Sequence, residues 1–457
     1  MVKNPFLGSA GVTHGPPNHA DSHSNNGGAP RRLLPRRGAL ALAFALPACG
    51  AIERGTAVPA SLQDSATIPG IPNARFWGDT QVDALRAEVF AALEREARYL
   101  GLASGRDLRR LPPAHLLALS GGSDYGAFGA GVLVGWTETG TRPEFKLVTG
   151  VSTGALSAPL AFIGPSKDPV LREVYTGIGP DQIFRRRDWL SIPFSDSLTD
   201  TRPLLATISR HMDADTLATI AEEYGKGRAL LIGTTNLDAL RPCIWNIGAI
   251  AASGQPDALD LVRRIMLASA SVPTVFPPVM FEVEAGGRRF QEMHVDGGAV
   301  AQTFLYPPAL TRAARDQAAL AGRERHAWVI RNARLGADWQ QTERAVLTIA
   351  GRAISSMIAY SGQNDVMRLQ TQAERDGVNF NLAYIKEDFT LPWERPFDRA
   401  WMQALFENGR QRALEGRAWD HTSPFLAGGL DLSRFCAAPL ITYCAAKEMN
   451  HEHRQDG

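Results

Sequence analysis

Between Leu116 and Gly154 the chain twice runs an apolar stretch straight into a glycine-bearing turn. Leu116 to Leu119 leads into Gly121-Gly122-Ser123-Asp124-Tyr125-Gly126, and Phe145 to Val148 leads into Gly150-Val151-Ser152-Thr153-Gly154. Each turn opens a run of helical composition, Ala127 to Trp136 and Ala155 to Ile163. Strand, turn and helix repeated so closely point to an α/β layered fold with a central, mostly parallel sheet flanked by helices. Later apolar strands fit the same plan: Ala229 to Thr235, Cys243 to Ile250, Ala327 to Ile330 and Val378 to Ile385. Val279 to Val283 and Arg289 to Val295 surround Ala285-Gly286-Gly287, a hairpin signal. Helical spacing is expected over 79–100, with Asp79 or Thr80 as N-cap, over 340–375 and over 397–417.

The second turn is a Gly-x-Ser-x-Gly elbow, which presents a serine between a strand and a helix. Gly150 and Gly154 leave room where a Cβ would collide with neighbouring backbone, and Ser152 fits the pattern without strain. The helix N-terminus favours negative charge beside the serine. The first turn gathers backbone N–H groups around Gly121, Gly122 and Ser123, suited to an oxyanion or a phosphate. It lacks the Lys-Ser or Lys-Thr of a Walker loop and the glycine spacing of a dinucleotide fingerprint.

A serine hydroxyl needs a base. Asp296, in Val295-Asp296-Gly297-Gly298, ends an apolar strand, where such sheets carry functional loops. His294 lies two residues earlier on the same strand face, which keeps a Ser-His-Asp mechanism open. His115, His211, His326 and His421 have no motif around them. No metal-ligand constellation is visible and no cofactor is called for.

Taken in order, these pieces resemble the patatin-like phospholipase family over roughly 116–308. That family has a glycine-rich oxyanion loop, then a Gly-x-Ser-x-Gly elbow, then an Asp-Gly-Gly or Asp-Gly-Ala turn. The stretch Ala268-Ser269-Ala270-Ser271-Val272-Pro273 also resembles its segment before the aspartate strand. The resemblance implies a three-layer patatin-like fold and a lipid acyl hydrolase of phospholipase A, lysophospholipase or esterase type. It implies a Ser152–Asp296 dyad, an oxyanion hole at Gly121, Gly122 and Ser123, and motif glycines Gly126, Gly150, Gly154, Gly297 and Gly298. Two positions depart from the pattern: Ser123 stands for the third glycine and Tyr125 for a basic residue. A positive φ at position 123 would strain a serine, and Tyr125 removes a positive charge. A lipid-binding protein with an inactive oxyanion loop is the alternative of another class.

The flanks set the expected domains. Residues 1–49 read as a disordered, Gly/Pro/His/Ser-rich start followed by a signal segment. That segment has Arg31-Arg32 and Arg36-Arg37, the apolar run from Gly38 to Ala48, and Cys49. Leu46-Pro47-Ala48-Cys49 resembles a lipobox, with Cys49 lipidated and the protein exported as a membrane-anchored lipoprotein on the periplasmic or outer-membrane face. Residues 50–112 are a linker and lead-in helix, 113–333 the catalytic domain and 334–457 a helical extension packing on it. A net charge of +1 offers no global field for nucleic acid, so the expected partners are a lipid or ester and a membrane surface. The cluster from Arg185 to Trp189 is a candidate headgroup contact or a solvated helix end. Cys436 and Cys444 are close enough in sequence to pair after export, with Cys243 left free.

Overall fold

The computed structural model describes residues 52–102, 108–186, 195–314, 322–336, 339 and 341–426. The signal segment, Cys49, Cys436, Cys444 and residues 187–189 of the basic cluster lie outside them. The described residues belong to one compact unit, Gly50–Gly457.

In chain order the unit opens with β1 (Arg75–Trp77) and α1 (Val82–Tyr99). The two glycine turns follow, each between a strand and a helix: β2 (Ala114–Leu119) with α2 (Gly126–Glu138), then β3 (Leu147–Val151) with α3 (Thr153–Ile163). Next come α4 (Asp168–Thr176), a two-residue ribbon of β4 (Arg185–Arg186) and β5 (Thr199–Asp200), α5 (Arg202–His211) and α6 (Ala214–Gly225). β6 (Ala229–Asn236), β7 (Arg241–Asn246), α7 (Ile247–Ala251) and α8 (Ala258–Ser269) precede the hairpin of β8 (Val279–Ala285) and β9 (Arg288–Asp296). The chain ends with α9 (Pro308–Ala314), β10 (Arg325–Arg331), α10 (Val346–Asp376), β11 (Asn379–Tyr384) and α11 (Arg399–Leu414).

Nine strands form one mixed sheet, ordered β1-β7-β6-β3-β2-β10-β11, with β9 on β6 and β8 on β9. The centre, β6-β3-β2-β10-β11, is parallel, as expected for strands buried on both faces. The β1, β7, β8 and β9 pairings are antiparallel, so the sheet is more mixed than its apolar runs suggested. Side chains alternate between two cores. Leu117, Leu119 and Ile330 pack with α2, α3 and α11, whereas Ala118, Val329 and Leu382 pack beneath Val366, Leu369 and Ala373 of α10. Three layers result: helices, sheet, helix. Residues 334–426 supply α10 against the sheet, α11 against α2, and also one of the strands, β11.

Two local expectations change. α1 starts at Val82 rather than Asp79, because Asp79 and Thr80 bind the Arg241 guanidinium instead of capping the helix. The stretch 243–250 divides after Asn246, whose side chain accepts the Ala249 N–H at 3.1 Å and caps α7.

Helix α2 carries four glycines, each costing about 1 kcal/mol of helix propensity relative to alanine. Packing explains all four, Gly126 and Gly129 against Thr153 and Asn332 and the other two against α11. A Cβ on Gly131 would run into the Phe406 carbonyl, one on Gly135 into the Arg410 carbonyl, and one on Gly409 of α11 into the Phe128 carbonyl. The two helices thus meet backbone to backbone, and α2 holds the first glycine turn at its N-terminus. Gly131→Val should cost about 1–3 kcal/mol by overpacking, read as a lower denaturant midpoint. Gly225→Ala, where a Cβ meets open space, should stay within about 0.5 kcal/mol of the parent and is the control.

Candidate active site

β6 sets the geometry. Its residues Leu230 to Gly233 pair with Val148 to Val151 of β3. β3 then ends, and β9 takes over the same strand, with Thr234 opposite Asp296. Val151 and Asp296 are therefore neighbours across consecutive β6 residues, and Ser152 follows Val151 directly. The Ser152 hydroxyl lies near enough to the Asp296 carboxylate to favour its charged form, and that carboxylate accepts the Gly298 N–H at 2.7 Å. Both residues are buried. Burial pushes the Asp296 pKa up to about 6, and Ser152 and Gly298 only partly oppose it.

The elbow is tight. Ser152 has φ 56° and ψ −125°, a conformation that costs a non-glycine residue on the order of 1–3 kcal/mol. The expectation of an unstrained serine is thus corrected: reversing the chain between β3 and α3 demands a positive φ there. A Cβ on Gly150 would collide with the Gly154 carbonyl, and one on Gly154 with the Leu119 carbonyl, so both glycines are required by space. The Ser152 N–H donates to Ser269 Oγ at 3.0 Å, and Ser269 donates to the Gly233 carbonyl at 2.7 Å. Two residues on, the Ser271 carbonyl accepts the Asp296 N–H at 2.9 Å. The end of α8 therefore braces both the serine turn and the aspartate turn. Sequence reasoning singled out this stretch without assigning these roles.

The first turn differs from expectation in one donor. The Gly121 N–H donates to the Gln302 carbonyl at 3.0 Å, so a backbone partner already occupies it. The N–H groups of Gly122 and Ser123 have no acceptor among the described residues. Ser123 does have a positive φ, 54°, as a glycine position would require. Behind the loop, a Cβ on Gly122 would strike the Asn332 carbonyl, and a Cβ on Gly126 would strike Thr153 Oγ1. Asn332 Nδ2 donates to the Ser120 carbonyl at 2.9 Å, and its Oδ1 accepts the Gly129 N–H at 3.1 Å. Gln302 couples the two halves of the site. Its carbonyl takes Gly121, and its Nε2 donates to the Gly298 carbonyl at 2.8 Å. In the aspartate turn, a Cβ on Gly297 would meet the Gly233 carbonyl and one on Gly298 would meet Gln302. Neither Gln302 nor Asn332 lies in a local motif, and no sequence signal marked them.

Tyr125 stacks edge-on against Trp401 of α11, with ring centroids 4.8 Å apart. Asp124 is buried and accepts Trp393 Nε1 and the Phe397 N–H, both at 2.9 Å, which ties the segment before α11 to the first glycine turn. Burial raises its pKa. Beside the turns lies a cleft of about 730 Å³, open mouth included. Ser123 and Thr153 line it, with Val174, Leu204, Ile208 and Met212 among its apolar walls.

His294 does not join the pair. Its Nδ1 shares a hydrogen bond with Thr234 Oγ1 at 2.9 Å, and its Nε2 bonds Glu292 at 3.1 Å. The ring is fully buried beside Trp245 and Phe281, and burial lowers its pKa. Burial also pushes Glu292 up, but His294 and the paired Arg75 outweigh it and hold the carboxyl at about 2. This network fixes the root of β9 rather than serving the serine. Cys243 is free, and burial raises its thiol to about 12.

The raised Asp296 pKa has a consequence for stability. The native state holds this proton more tightly than the unfolded chain does. The contribution therefore favours the fold at low pH and is lost as pH rises from about 4 through about 6, by on the order of 3 kcal/mol. Asp296→Asn should remove that fall, so chemical denaturation at pH 4 and pH 8 should show a smaller difference than in the parent. An unchanged difference would mean Asp296 is not the group that titrates.

Known proteins offer three comparisons. No curated protein sequence matches the chain. Among solved structures, the chain is similar to VipD from Legionella pneumophila at 12% identity, with 67% of each chain covered and a TM-score of 0.34, too loose a likeness to carry an argument. Residues 117–308, from β2 to beyond the aspartate turn, match the family described as patatin-like phospholipase. That stretch is a patatin-like phospholipase domain, and the match supports a lipid hydrolase or esterase activity of the serine-hydrolase type in general.

Proposed function

We propose that the protein hydrolyses fatty acyl esters through a Ser152–Asp296 dyad and an acyl-enzyme. One observation supports the reading: the change of partner along β6, which brings a strained serine beside a buried carboxylate. Ionised Asp296 takes the Ser152 proton as Oγ attacks the ester carbonyl carbon. The Gly122 and Ser123 N–H groups hold the resulting oxyanion, an effect worth roughly 3–4 kcal/mol per donor in hydrolases. As the tetrahedral species collapses, Asp296 passes the proton to the leaving alkoxide and the alcohol departs. Water then attacks the acyl carbonyl and gives a proton to Asp296; as this second tetrahedral species collapses, the bond to Oγ breaks, Asp296 returns the proton to Ser152 and the fatty acid leaves. The apolar cleft beside Ser123 and Thr153 suits an acyl chain.

Ser152→Ala and Asp296→Asn should each lower fatty acid release by at least ~10³-fold, because a nucleophile and its base act as one unit. A fluorophosphonate should label the parent and not Ser152→Ala. The parent rate should climb as pH rises through about 6, where Asp296 ionises. Undiminished turnover in either variant would remove that residue from the mechanism. Val174→Trp, which projects a half-buried side chain into the cleft, should cut kcat/KM for long acyl esters roughly tenfold or more while sparing a butyryl ester. Equal losses on both would place the acyl chain elsewhere.

A further inference from the structure

The two halves of α10 have different surroundings. Val366, Leu369 and Ala373 are buried against β2, β10 and β11. Before Ser361 no described side chain of the helix is buried, and Val346, Met357 and Tyr360 are 84%, 71% and 58% exposed. At about 100° per residue, Val346, Ile349, Ile354, Met357, Ile358 and Tyr360 share one half of the circumference. Thr348, Arg352 and Ser355 occupy the other. Between Arg344 and Asp365 there is no acidic residue.

The direction of α10 places this face. Its end, Asp376, leads through Gly377 into the start of β11, while Gly362 lies against Arg331, the last residue of β10. The helix therefore runs from the C-terminal edge of the parallel strands to their N-terminal edge. Everything before Gly362 stands beyond the edge that carries Ser152, and at 1.5 Å per residue Val346–Ser361 extends roughly 24 Å. Other exposed apolar side chains share that edge: Val300, just after the aspartate turn, and Trp393, bonded to Asp124 of the first glycine turn.

We infer that the first half of α10 is an interfacial helix that lays its apolar face into the lipid surface from which substrate is drawn. This rests on the lipid-ester reading above. The chemistry selects lipid over a protein groove. A polar face of Ser, Thr and Arg without acids suits headgroups, including anionic ones, and the apolar half-circumference matches helices that lie in the plane of an interface. No helix among the described residues is long and apolar enough to cross a membrane, which fits lying on the surface. Insertion beside the site would turn the mouth of the acyl cleft toward the bilayer.

The test uses the full chain with Cys49→Ser, so that no lipid can be carried there. Sedimentation with phosphatidylcholine vesicles, with and without phosphatidylglycerol, is measured in a Ser152→Ala background that leaves the lipid intact. The parent should bind, more tightly with the anionic lipid. Ile349→Glu with Met357→Glu, both at exposed positions, should weaken binding roughly tenfold or more. With Ser152 present, the same pair should slow hydrolysis of vesicle lipid and leave a soluble butyryl ester unaffected. Vesicle binding that the substitutions do not change, or no binding by the parent, overturns the inference. So does a dimer that the substitutions disperse, which would give the face to a second copy. Vesicle binding lost on substitution in a chain that turns over neither ester supports the helix and counts against the dyad alone.

Discussion

The site depends on one strand having two successive partners on the same side. β6 bonds β3 as far as Gly233 and β9 from Thr234 onward. The first pairing delivers a serine at the end of a parallel strand, and the second delivers an aspartate from an antiparallel one. Backbone hydrogen bonds fix both in register, and a slip of one residue would turn either side chain to the opposite face. The placement of Ser152 beside Asp296 is thus set by the ladder, before any side chain contributes. The remaining bonds hold the two strand ends against each other: Ser269 on the serine turn, Ser271 on the aspartate strand, and Gln302 between the aspartate turn and the first glycine turn.

That arrangement stores strain at two serines and desolvation at one carboxylate. Ser152 and Ser123 both have positive φ, and the Asp296 carboxyl is buried, which pushes its pKa up to about 6. Such costs persist only where the surroundings over-determine the geometry. Here the surroundings are the backbone-to-backbone contact of α2 with α11, the Asn332 contacts behind Gly122, and the buried Arg75–Glu292–His294 network at the root of β9. The unusual loop residues Ser123 and Tyr125 also have a physical account. Ser123 still presents a backbone N–H, and Tyr125 turns its ring onto Trp401, so α11 takes the side chain that replaces a basic one.

What was legible in the sequence was local. Two apolar strands running into glycine turns, an Asp-Gly-Gly after a third strand and a Gly-Gly hairpin each leave a pattern within a few residues, and each formed where the pattern placed it. What was not legible depends on contacts between distant segments. Asp79 resembles a helix cap until Arg241, from another strand, claims it. Gly121 resembles an oxyanion donor until the Gln302 carbonyl takes its N–H. His294 shares a strand face with Asp296, yet Thr234 and Glu292 occupy both ring nitrogens. The antiparallel edges of the sheet, and the place of β11 beside β10, likewise follow from pairing that no single segment encodes.

In the proposed reaction charge develops on the carbonyl oxygen, and a crystal structure of the fluorophosphonate adduct examines where that oxygen sits. The phosphorus should be bonded to Ser152 Oγ. Its phosphoryl oxygen should lie ~3 Å from the N–H groups of Gly122 and Ser123, while the Gly121 N–H stays on Gln302 and Asp296 stays beside the modified serine. An adduct on another residue, or an oxygen held by Gly121 with Gly122 and Ser123 turned away, would contradict the proposed reaction.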